Sequence, residues 1–270
     1  SAGAWTEYDS DYLHKSLADS KFDSVNIYDC TSQWGVFSIA GPDSRSFLKK
    51  IVVSEDPDKT LSNKEFPWLS YRDIEIGMCP VRALRVAYTG ELGWELHHPI
   101  EMQNYLLDIL LSSGEEFNLK LVGARAQNWL RQEKSYKAFG SDLGRDAGPF
   151  ESNLSRFVDI NKNFLGKDAL LKRKTDVSCV TLLIDGPKDI DPWGREALYN
   201  ETEEVMLGRL TSAGYSVHFK RSIGIGYVKS SFSEVGTKLR IKIDDAFWNA
   251  EIVRDSPYDP QNERIIDRAQ

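Results

Sequence analysis

Ala87-Tyr88-Thr89-Gly90-Glu91-Leu92-Gly93-Trp94-Glu95-Leu96 sets a tyrosine and a carboxylate seven residues apart around two glycines, between apolar runs. Glycine admits backbone geometry closed to other residues and lets a ligand approach closely. Arg85-Val86-Ala87-Tyr88 before the glycines and Trp94-Glu95-Leu96 after them read as strands, so the stretch is expected to form a hairpin or a strand–loop–strand unit. Glu95 can bond a planar pair of donors, and Tyr88 or Trp94 can pack on a flat ring.

Working outward, Ser24 to Cys30 alternates like a strand, and Trp34 to Ala40 reads as a second one. Gly41-Pro42-Asp43-Ser44 then turns the chain into a helix over Arg45 to Val52, and residues 55–64 read as a polar loop. Met102, Tyr105, Leu106, Ile109 and Leu110 recur at three- and four-residue spacing, the pattern of an amphipathic helix lying against a sheet. A second helix is expected from about Val122 to Lys137, and a short third one after Phe164-Leu165-Gly166-Lys167. Beyond residue 176 the character changes to strands, at Val177–Ile184, Val205–Leu210, Ile223–Val228, Lys238–Ile243 and Phe247–Val253, separated by Gly, Asp and Pro turns. The fold class expected is α+β: an α+β unit over residues 1–175 followed by an antiparallel β-barrel or sandwich over 176–270.

Composition narrows the function classes. A formal net charge of −7 argues against a general nucleic-acid or acidic-membrane partner. No run approaches the roughly 20 apolar residues that span a bilayer. Cys30, Cys79 and Cys179 are odd in number and far apart, which suits free thiols in a reducing compartment. That redox setting argues against use of the sequons at Asn153 and Asn200. His97 and His98 would point to opposite sides of a strand, and His14 and His218 are the only others, so no metal site is expected. Gly224-Ile225-Gly226 lacks the further glycine and the surrounding unit of a dinucleotide loop, so FAD is not expected to bind this chain.

The stretch Tyr88 to Glu95 resembles the YTGE-x-G-x-E signature of the folate-binding aminomethyltransferase (glycine cleavage T-protein) superfamily. Its Glu-Leu-Gly-Trp-Glu-Leu wording is similar to the folate module at the C-terminal end of dimethylglycine and sarcosine dehydrogenases. Further blocks follow in the superfamily's order. Gly123 to Tyr136, with Arg131-Gln132-Glu133-Lys134, resembles its R-x-E-K helix; Phe139 to Leu143 and Gly148 to Leu154 resemble its next two blocks. Asn163-Phe164-Leu165-Gly166-Lys167, Leu210 to Ser216 and Ile223 to Val228 resemble the remainder, so the likeness covers about residues 25 to 260.

The resemblance implies a T-protein-like fold with a C-terminal barrel, and tetrahydrofolate as cofactor. It implies that Tyr88 and Glu95 line the folate site, with Trp94 as a further ring-packing candidate. Tyr215 either faces the folate channel or is a barrel-core aromatic. Glu91 is expected to hold the hairpin and not the ligand, Glu151 to cap its turn, and Arg131 and Arg125 to pair with acids or an anionic tail. Where T-proteins carry a folate-contacting arginine this chain has Gln127, a departure that fits the dehydrogenase-linked subgroup and leaves open how a folate tail is held. The superfamily's catalytic aspartate belongs to an N-terminal stretch resembling N-x-x-G-G-I-x-D-D, which this sequence does not contain. The chain therefore reads as a C-terminal part of a longer protein, or a truncated module, with an incomplete first lobe. The implied activity is capture of one carbon from N-methylamine oxidation as 5,10-methylene-tetrahydrofolate, with an upstream flavin domain or subunit as partner and FAD confined to it. The alternatives are a regulatory module like that of pyruvate dehydrogenase phosphatase, or a stand-alone T-protein. The tail Tyr258 to Arg264 is similar to bacterial members, which favours cytoplasm over mitochondrial matrix.

Overall fold

The computed structural model describes residues 5–22, 24–186 and 190–267. Helix α1 (Thr6–Ala18) buries none of its residues and is hooked on by Trp5, whose ring meets Phe139 edge-on at 5.2 Å. Strand β1 (Trp34–Ala40), helix α2 (Ser44–Ile51) and the single turn α3 (Pro57–Thr60) lead into β2 (Tyr71–Ile76), β3 (Cys79–Leu84) and β4 (Gly93–Pro99). The four strands form an antiparallel sheet in the order β1-β4-β3-β2. The period-2 alternation sends Ile74, Ile76, Val81, Ala83, Trp94 and Leu96 to one face, where Phe47 and Leu48 of α2 close over them. Leu106 and Leu110 of α4 (Gln103–Gly114) complete that core. The opposite face stays open, with Trp34 43%, Val36 48% and Tyr71 65% exposed.

Helix α5 (Ala124–Glu133) and the short α6 (Lys167–Lys172) precede the barrel. Its strands are β5 (Val177–Ile184), β6 (Ala197–Tyr199), β7 (Met206–Ser216), β8 (Arg221–Lys229), β9 (Lys238–Ile243) and β10 (Ala246–Val253). They close in the order β10-β5-β8-β7-β6-β9, which removes free edges. Val180, Leu182, Leu210, Val228, Ile241 and Ile252 fill the interior. α5 lies across β7 and β8, and Gly214 is there because a Cβ would run into the Trp129 indole. A last turn, α7 (Glu263–Ile266), ends the described chain. No helix among the described residues is long and apolar enough to cross a membrane.

Three departures from the sequence reading have physical reasons. Ser24 to Cys30 forms no strand, and Val25 and Tyr28 stand exposed, because alternation without a hydrogen-bonding neighbour makes no ladder. The strand expected through Tyr88 stops at Leu84: the Arg85 amide donates to Ser70 O and its carbonyl accepts from Leu69 N, so this backbone is spent on another loop. β6 is too short to give a periodic signal, and β7 runs on past the expected end at Leu210, across a bulge, to Ser216.

Glu151 caps its turn as expected. Its carboxylate accepts from the Gly148 amide at 2.7 Å and the Thr175 hydroxyl at 2.7 Å, with Arg173 at 3.4 Å. Burial alone would raise this carboxyl, but the hydrogen bonds and Arg173 outweigh it and hold it below the ordinary glutamate value. A depressed folded-state value gives stability that is complete above the ordinary value near 4.5 and lost as pH falls through the folded one. Glu151→Gln should therefore flatten the acid limb of a stability–pH curve while losing stability at pH 7; an unchanged limb would contradict this role.

Candidate functional site

β3 and β4 pair with Leu84 opposite Glu95 and Arg82 opposite His97, leaving residues 85–92 as the connecting loop. Alternation along β4 puts Trp94, Leu96 and His98 in the core and Glu95 and His97 on the open face. There Glu95 lies between Ser38 of β1 and Leu84 of β3. Its Oε2 is 3.2 Å from His97 Nε2, and the two side chains are 35% and 30% exposed, so the carboxylate is oriented yet reachable. His98 on the other face is wholly buried and stacks on Phe37 at 4.9 Å.

Tyr88, at the other side of the loop, stacks on Tyr136 with centroids 6.1 Å apart and planes 16° from parallel. Its hydroxyl donates to Lys137 O at 3.4 Å. Burial raises the Tyr88 phenol, with Arg131 pulling it down and Asp142 pushing it up; burial likewise raises Tyr136. Both therefore stay protonated donors at neutral pH. Tyr136 was not singled out by the sequence reading, although it closes the Arg131-to-Tyr136 block. The stack makes a half-exposed aromatic shelf.

Two other candidates sit elsewhere. Trp94 is 0% exposed: Phe66 meets its ring at 6.3 Å, and the Arg45 and Arg85 guanidiniums lie over it at 5.4 and 5.8 Å. The expectation that Trp94 packs on a ligand ring is corrected to a core role, since the residue next to an outward Glu95 along the strand points inward. Tyr215 shares a face of β7 with the barrel-core residue Ala213, while Gly214 and Ser216 face α5. Tyr215 itself is partly buried and is not among the residues packed in the barrel core.

Helix α5 fixes the shelf from below. Arg131, 3% exposed, donates to Asp142 at 2.8 Å, Ser212 at 2.7 Å, Asn128 at 2.8 Å and Tyr136 O at 2.6 Å. Asp142 also accepts from Thr211 and Ser212 at 2.6 Å each and from the Ala138 amide at 2.9 Å. Glu133 accepts from Ser216, and Lys134 donates to Asp259 O at 2.6 Å and Asn262 at 2.8 Å. The Arg131-to-Lys134 run is thus a buried polar hub joining helix, barrel and tail. Arg125, by contrast, pairs with Asp191 at the surface beside Trp129 and Trp193.

A stacked aromatic pair can hold a flat heterocycle, and an accessible carboxylate can accept from N–H donors along such a ring's edge. A reduced pterin has that shape and donor set, so the residues present suit it.

The family model described as the GCVT N-terminal domain matches residues 1–162, and that of the glycine cleavage T-protein C-terminal barrel domain matches 178–259. Human mitochondrial dimethylglycine dehydrogenase (Homo sapiens) is 34% identical over 257 residues, which is 92% of this chain and 28% of that protein. An aminomethyltransferase of Caldanaerobacter subterraneus subsp. tengcongensis is 28% identical over 230 residues, 85% of this chain and 60% of the relative. In structure, the glycine cleavage system aminomethyltransferase T of Bartonella henselae superposes with a TM-score of 0.70 at 20% identity, covering 84% of this chain and 60% of that one. The chain thus spans under a third of the length of the dehydrogenase relative.

Proposed function

This chain belongs to the glycine cleavage T-protein (aminomethyltransferase) family, and on that premise we propose that it is a tetrahydrofolate-binding module serving one-carbon transfer. The reading is supported by the stacked Tyr88–Tyr136 pair, with Tyr88 in the 85–92 loop, and by the accessible Glu95 three residues beyond that loop. Glu95 accepts hydrogen bonds from the pterin edge, a charge-assisted contact that fixes the ring's register. Tyr88 and Tyr136 hold the ring plane and exclude water from one side of it. Bound tetrahydrofolate supplies the amines that take up a one-carbon unit.

Within this reading the carbon comes from an N-methylamine of the dimethylglycine or sarcosine kind, oxidised at a flavin carried by an adjoining domain or subunit, and leaves as 5,10-methylene-tetrahydrofolate. Holding the folate near that source raises its effective concentration. The likeness to mitochondrial and bacterial proteins leaves matrix and cytoplasm as the two compartments to test. A second reading, a non-catalytic interaction module, is favoured by the open sheet face with Trp34, Val36 and Tyr71 exposed. Calorimetric titration with 5-formyl-tetrahydrofolate separates the two. Saturable binding weakened about tenfold by Tyr88→Ala supports the folate module; absence of binding at millimolar ligand favours the interaction module.

A further inference from the structure

After β10 the chain does not simply end. Residues 257–267 run back from the barrel over the 85–92 loop and into the sheet unit, and residues 260–267 lie beyond the segment that matches the family's barrel model. Both ends of this run are fastened. At its start the Tyr258 amide donates to Glu133 O at 3.1 Å, and Lys134 holds Asp259 O and Asn262. At its end Arg85 donates to Ile266 O at 2.7 Å, Asn63 to Asp267 O at 2.6 Å, and Arg45 pairs with the Asp267 carboxylate at 3.1 Å.

Between these anchors the run grips the loop that carries Tyr88. The Tyr258 hydroxyl donates to Glu91 Oε1, and Arg264 lies 3.3 Å from the same oxygen and 5.3 Å over the Tyr258 ring. The ring rests on Gly90, where a Cβ would come within 2.6 Å of its Cδ1. Burial, reinforced by Glu91, raises the Tyr258 phenol, so it remains a donor to that carboxylate throughout the neutral range. The two glycine-flanked residues of the motif that touch no pterin in the proposed site, Gly90 and Glu91, thereby acquire a purpose. One is small because an aromatic lies on it, and the other is acidic because that aromatic's hydroxyl and an arginine meet it.

We propose that residues 257–267 form a strap that sets the conformation of the Tyr88-bearing loop, with Tyr258 as a positioning residue acting through Glu91 and Gly90. The strap couples the barrel's last strand to the aromatic shelf; its consequence for pterin affinity rests on the folate reading above. The test is hydrogen–deuterium exchange on the whole chain, together with titration of 5-formyl-tetrahydrofolate, for Tyr258→Phe, Glu91→Gln and the double variant. Loss of one charge-assisted hydrogen bond should speed exchange of amides 88–92 roughly tenfold and weaken pterin binding by a similar factor. Exchange in β3 and β4 should stay at the wild-type rate, and the double variant should be no worse than either single one. Unchanged exchange at 88–92, or additive effects of the two substitutions, would overturn the strap. Faster exchange with undiminished pterin affinity would overturn its positioning role. If the wild-type chain binds no pterin, the folate reading fails while the exchange data still decide the strap.

Discussion

Arg131→Met should destabilise the protein by about 3–5 kcal/mol, enough to leave a chain of ordinary stability partly unfolded at 25 °C. Arg131 and Asp142 are 3% and 0% exposed, and removing the guanidinium strands a carboxylate in the interior with only hydroxyl and amide donors left. The cost is that of an unpaired buried charge and not of a lost contact. The double variant Arg131→Met/Asp142→Leu removes both charges and should recover much of the stability, since well-packed apolar replacements of buried pairs are often neutral. Urea titration of the set measures this; a single variant within about 1 kcal/mol of wild type would mean the hub is not structural. Arg131 also holds the Tyr136 carbonyl, so a folded remnant should bind pterin less well.

Glu95→Ala should weaken 5-formyl-tetrahydrofolate binding roughly ten- to hundredfold, the range for a hydrogen bond to a charged acceptor. Thermal stability should hardly change, because Glu95 stands on the open face and its one partner among the described residues is the partly exposed His97. Glu95→Gln keeps one acceptor oxygen and should fall between. A stable Glu95→Ala protein with wild-type affinity would remove the carboxylate from the site and leave only the aromatic shelf.

The sequence made much of this visible. β5 and β9 were readable to the residue because continuous or alternating apolar runs bounded by turns leave little choice of register. The two glycines marked the loop and its later flank at Trp94-Glu95-Leu96, whereas the strand expected over Arg85 to Tyr88 lies within the loop. Trp94 was misread as a ring-packing residue, although with Glu95 and His97 polar and outward strict alternation already buries Trp94 and Leu96. What stayed hidden depends on long-range partners. The end of β3 at Leu84 follows from Arg85 bonding residues 69 and 70, and no local pattern encodes that. Tyr136 joins Tyr88 only because Arg131 fixes the end of α5 against the barrel. Tyr258 meets Glu91 across a sequence separation of 167.

The most direct measurement is a crystal structure of the chain with 5-formyl-tetrahydrofolate. The expected result has the pterin edge about 2.7–2.9 Å from the Glu95 carboxylate and the ring plane against Tyr88 and Tyr136. Density for the ligand at any other surface, or none at saturating concentration, would contradict the assignment of this loop as the folate site.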